Sequence, residues 1–128
     1  MSTTPKELID CATAMSQSAT DEAAYRAVCS RAYYGAFHAA KAFHDALPSP
    51  GTVGSARGRH EQLISQLSNP TVSSKNKKHG KSVAIGKTLR SLVTTRVLAD
   101  YTITAAVDKA TATSAAQNAV VLHTAATT

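Results

Sequence analysis

The stretch Ser30-Arg31-Ala32-Tyr33-Tyr34-Gly35-Ala36-Phe37-His38-Ala39-Ala40 decides the reading of this chain. It lies within a run that opens at Thr20-Asp21-Glu22, where a capping side chain and two carboxylates suit the positive end of a helix dipole. That run meets no helix breaker until Pro48, so one long helix is predicted. Arg31 and His38 stand seven residues apart, two turns less about 20°, and so project from the same face. Tyr34 sits between them, and Ala27 and Ala42 leave that face uncrowded.

The flanking sequence also reads as helical. Thr4-Pro5-Lys6-Glu7 has a capping threonine, proline at the first helical position and a glutamate placed to complete a capping box, which starts a first helix ending near Ser16. A third helix is predicted over roughly Arg59 to Leu67, closed by Asn69-Pro70. Val83, Leu89, Leu92, Val93, Val97 and Leu98 recur at helical spacing and predict a fourth from about Val83 to Tyr101. Thr104 is the expected cap of a fifth, Ala105 to about His123. Residues 48–58 and 69–80, rich in Gly, Pro, Ser and Lys, read as flexible loops, the second being the expected place for disorder. No strand pattern and no internal repeat is visible. The expected fold is all-α, a four- to five-helix up-and-down bundle, and 128 residues suffice for one domain spanning the chain but not for two.

Charge is distributed unevenly. The chain carries a formal +6, yet residues 57–96 hold nine Lys and Arg against the single acid Glu61, so that segment contributes +8. Such a patch favours a polyanion, and Arg59, Lys75, Lys77, Lys78 and Lys81 are the expected contacts to RNA phosphates. Cys11 and Cys29 lack paired spacing, and no secretory leader or membrane-spanning stretch is evident, which points to a reducing cytoplasm and no membrane partner. No histidine or cysteine spacing suits zinc, and no other cofactor is expected: His38 and His44, six apart, do not share a helical face. Gly80-Lys81-Ser82 and Gly86-Lys87-Thr88 each imitate the end of a nucleotide-binding phosphate loop, but the earlier glycine is missing in both, as is a preceding strand.

On the long helix, guanidinium, phenol and imidazole can converge on one phosphate. Imidazole moves protons near neutral pH and guanidinium stabilises charge on phosphoryl oxygens, which together suit metal-free RNA cleavage. One histidine is too few for both acid and base, and a two-fold dimer would supply the second. A structural reading stays open beside this one, with Arg31 bonded to Asp100 or to carbonyl groups, and with Asp100 and Tyr101 holding Arg31 or Arg96 in place.

The quoted stretch resembles the signature helix of small stand-alone bacterial and archaeal HEPN proteins. His60-Glu61-Gln62-Leu63-Ile64 resembles the short helix that follows in that group, and Arg96-Val97-Leu98-Ala99-Asp100-Tyr101 resembles its arginine, two residues, Ala-Asp-Tyr ending. The similarity runs in order over residues 21–102. It implies a helical bundle, often dimeric, in a superfamily of metal-independent ribonucleases from toxin-antitoxin, phage-defence and CRISPR systems, whose enzymes share an arginine, four to six residues, then histidine. On that pattern Arg31 and His38 are the catalytic pair, while Ala32 stands where catalytic members often have a polar residue. Small members also partner a minimal nucleotidyltransferase or join RNA-containing defence complexes, some of them without nuclease activity. The resemblance therefore implies either a homodimeric ribonuclease or a binding module.

Overall fold

A computed structural model describes residues 3–128. Five helices form, α1 (Pro5–Ser18), α2 (Glu22–Asp45), α3 (Arg59–Ser68), α4 (Lys77–Tyr101) and α5 (Lys109–Thr127), and there is no strand among the described residues. The capping box at Thr4 and Glu7 is complete, each residue's backbone N–H donating to the other's side-chain oxygen at 3.0 and 3.1 Å. Asp21 caps α2 by accepting from the Ala24 N–H at 2.8 Å.

Two helices depart from the expected bounds. α4 begins at Lys77, six residues before Val83, because Asn76 caps it and its first turn faces solvent; a polar Lys77-Lys78-His79-Gly80 turn carries no apolar signal. Lys81-Ser82 and Gly86-Lys87-Thr88 thus lie inside one continuous helix. α5 begins at Lys109 rather than Ala105, since Asp108, not Thr104, is the cap: it accepts from the Thr111 N–H at 2.8 Å. The loop expected at 48–58 is tied down at several points. The Thr52 N–H donates to Asn69 O, the Ser65 hydroxyl to Thr52 O and Val53 O, and the Gly51 N–H to Nε2 of buried His44. Gly51 has to be glycine there, because a Cβ would stand 1.8 Å from Gln66 O.

α1, α2, α4 and α5 form the bundle, with α3 lying along α4. α2 is central and packs on all the others. Its start adjoins the end of α4 and the approach to α5, and its end adjoins the start of α4, so α2 and α4 run antiparallel. Small residues make this close: Ala32, Ala36 and Ala40 of α2 and Ala119 of α5 are fully buried. Gly35 sits where a Cβ would press to 2.7 Å from Ile9 of α1. The aromatic core side chains are Tyr33, Phe37 and Phe43, and Leu67, Ile85, Leu89, Leu92 and Leu122 are buried almost completely.

One arginine fastens α2 to α4, and it is Arg26. Its guanidinium, 15% exposed, donates to the carbonyl oxygens of Leu98, Ala99 and Thr102 at the end of α4 and of Ile103 and Ala105 beyond it, while Glu22 pairs with it at 3.5 Å. The last carbonyls of a helix have no partners within the helix, and a cation there also meets the negative end of the dipole. Glu22 completes the joint by accepting from the Val107 N–H at 3.1 Å.

Candidate active site

Ser30, Arg31, Tyr33, Tyr34, Phe37 and His38 of α2 form one wall of a cleft of about 480 Å³, closed by Arg59 and His60 of α3 and Arg96 of α4. The helical spacing of α2 explains its wall: Tyr33 and Phe37 point into the core, whereas Arg31, Tyr34 and His38 follow the neighbouring edge. Tyr34 and His38 meet edge to face at 4.6 Å between ring centroids. Ala32 is fully buried, so a side chain at that position turns away from the cleft.

Phe37 is the hub of the site. The His38 ring lies 5.4 Å from it and the His60 ring 4.7 Å, and the Arg59 guanidinium stands over its face at 5.3 Å. The cleft of one chain therefore contains two imidazoles, His38 and His60. His60 was legible in the sequence through its register, because residues 60, 63, 64 and 67 share one stripe of α3 and Leu63, Ile64 and Leu67 are buried. An arginine and a glutamate on either side disguised it.

His60 is held by a second α2 residue. Tyr33 Oη lies 2.5 Å from His60 Nδ1 and has no other partner among the described residues. Burial pushes the Tyr33 phenol up to about 12, so it stays protonated; where it donates to Nδ1, the neutral ring carries its own proton on Nε2, the opposite edge. His60 is itself held below the ordinary imidazole range by burial, and then by the charges of Arg96 and Arg59. A bidentate pair between Arg90 of α4 and Glu61 fixes the start of α3 that presents Arg59 and His60.

Asp100 serves Arg96 and not Arg31. It accepts from Arg96 Nε at 2.9 Å and from the Ser30 hydroxyl at 3.2 Å. The Arg96 guanidinium is set over the rings of Tyr33 and Tyr101 at 5.7 and 5.3 Å. Among the described residues the Arg31 side chain has no carboxylate or carbonyl partner and is exposed at the cleft's edge. Bonding to carbonyl groups, the structural alternative for Arg31, falls to Arg26, five residues earlier.

The lysines are elsewhere. Lys77 and Arg96 are nineteen residues apart on one helix, about 28 Å along its axis, so Lys75, Lys77, Lys78 and Lys81 cluster at the far end of α4 and only Arg59 of the expected phosphate contacts lines the cleft. No group of three metal-ligating side chains occurs among the described residues, and no helix among them is long and apolar enough to cross a membrane. Cys11 and Cys29 are free thiols.

The histidines make the fold sensitive to acid. His44, like His60, is held below the ordinary imidazole range, chiefly by burial, and its neutral Nε2 is needed to accept from Gly51. In the unfolded chain both rings protonate near pH 6.5. Their stability contribution is thus present above that pH and lost as the pH falls through the lower folded values. The urea midpoint is expected to fall between about pH 7.5 and 5.5, and a flat profile there would contradict the assignment.

Compared with protein-family models, with curated proteins and with solved structures, the chain matched none.

Proposed function

We propose that the cleft cleaves RNA without a metal ion, by internal transesterification, in the manner implied by the resemblance to HEPN ribonucleases of toxin-antitoxin and phage-defence systems. One observation carries this reading: two imidazoles and the guanidinium groups of Arg31, Arg59 and Arg96 line a single cleft. His38 removes the proton of a ribose 2′-hydroxyl, whose oxygen attacks the adjacent phosphorus as the bond to the 5′-oxygen breaks. The leaving oxygen takes the Nε2 proton of His60, and Tyr33 passes its own proton to Nδ1. The tyrosinate formed is a weaker base than the alkoxide it relieves, and Arg96 lies beside it. The arginines stabilise charge on the phosphoryl oxygens. The distal lysines attract RNA at long range without touching the reacting phosphate.

Incubating the protein with total RNA in EDTA tests this directly. The expected products carry 2′,3′-cyclic phosphate and 5′-hydroxyl ends. Absence of cleavage, or cleavage that EDTA abolishes, would overturn the reading.

A second reading is favoured by a different observation, the exposed apolar side chains at the same end of α4. Tyr101 is 67% and Ile103 85% exposed, and Val97, one turn before Tyr101 on α4, is exposed as well. Such residues suit a non-catalytic module that docks through this face onto a second copy or onto a nucleotidyltransferase partner.

A further inference from the structure

At the other end of the bundle, where α1 and α4 begin and α2 and α5 finish, a groove of about 460 Å³ lies between the four helices. Its floor is apolar. Ala39, Ala42, Phe43 and Ala46 follow one another at helical spacing along α2, with Ala125 and Ala126 of α5 opposite. Alanine at these positions leaves volume that a larger side chain would fill, and Ala42 and Ala46 remain exposed. Lys78 and Lys81, one turn apart on α4, stand over this floor. Among the described residues neither has a carboxylate partner, whereas Lys6, also at the rim, is already paired with Asp10 at 2.7 Å.

We propose that this groove binds an amphiphilic carboxylate, a single-chain fatty acid whose alkyl chain covers the alanine stripe and whose head lies between Lys78 and Lys81. Both halves of the site are needed to name the ligand. A nucleic-acid backbone would satisfy the lysines but leave the alanine floor wet, and a neutral apolar molecule would gain nothing from two ammonium groups. The positive ends of α1 and α4 and the negative ends of α2 and α5 meet at this groove, so the preference for an anion rests on the two lysines. The site is independent of the arginine-histidine cleft, which is lined by other residues.

Decanoate, kept below its micellar concentration, is the probe, with decanol and inorganic phosphate as controls, followed by calorimetry and by amide shifts. Saturable binding at one site is expected, with shifts confined to the start of α1, the second half of α2, the first turns of α4 and the end of α5. Ala42→Trp, at an exposed position that spares the core, should weaken decanoate about tenfold or more by filling the groove. Lys78→Gln with Lys81→Gln should weaken decanoate about tenfold while leaving decanol unchanged. Circular dichroism confirms that both variants are folded. No saturable binding, affinity indifferent to both variants, or phosphate binding as tightly as decanoate would overturn the proposal.

Discussion

Replacing Arg26 by alanine is expected to cost about 3 kcal/mol of folding stability, read as a lowered urea midpoint at unchanged slope. The side chain is mostly buried and supplies donors to five carbonyl oxygens where α4 ends and the connection to α5 begins. Alanine would remove the donor to the Ala99, Ile103 and Ala105 carbonyls and the charge partner of Glu22, while Leu98 O and Thr102 O keep the N–H groups of Thr102 and Ala105. Arg26→Lys keeps the charge but cannot fork between the carbonyls, and should recover only part of the loss. Arg31→Ala, by contrast, removes a side chain with no protein partner among the described residues and should stay within about 0.5 kcal/mol of the parent. Equal destabilisation by the two substitutions would mean that the division of labour between these arginines has been misassigned.

That division shows where sequence reasoning stops. The capped starts of α1 and α2, the breaker-free length of α2 and the stripe of α4 are local properties, and each can be read from spacing and side-chain chemistry. Which of two arginines on α2 reaches the end of α4 depends on where α4 ends in space, and no local pattern records it. The start of α4 was hidden for a different reason: a helix's first turn in solvent needs only a cap, and Lys77-Lys78-His79-Gly80 looks the same whether helical or not. For the cleft, Arg31, Tyr34 and His38 were legible because seven residues on a helix return to one face. His60 comes from another helix, and its membership rests on the stripe it shares with Leu63 and Leu67 and on the reach of Tyr33 across the helix contact. The basic segment misled about position: residues 57–96 carry +8, but α4 is long enough to separate its lysines from Arg96.

His38→Ala and His60→Ala are each expected to lower the rate of RNA cleavage by about 10² to 10⁴, with folding retained, because each removes one of the two proton-transfer groups. Free imidazole should restore part of the rate to either variant, which loss of a merely structural ring would not allow. Tyr33→Phe separates the roles further. It keeps the aromatic packing against Phe37 and removes only the hydroxyl that donates to His60 Nδ1. Burial and the charges of Arg96 and Arg59, which hold the His60 ring below the ordinary imidazole range, stay in place. The variant then lacks the phenolic proton source and depends on His60 being cationic. Its cleavage should grow only as the pH falls below the ordinary imidazole value of about 6.5 and decline above it, while the parent, supplied through Tyr33, holds its rate there. A structural Tyr33 would lower the rate uniformly and leave the two profiles parallel. Parallel profiles would remove Tyr33 from the reaction, and undiminished cleavage by His60→Ala would return the acid-base pair to two chains, each contributing its His38 across a two-fold interface.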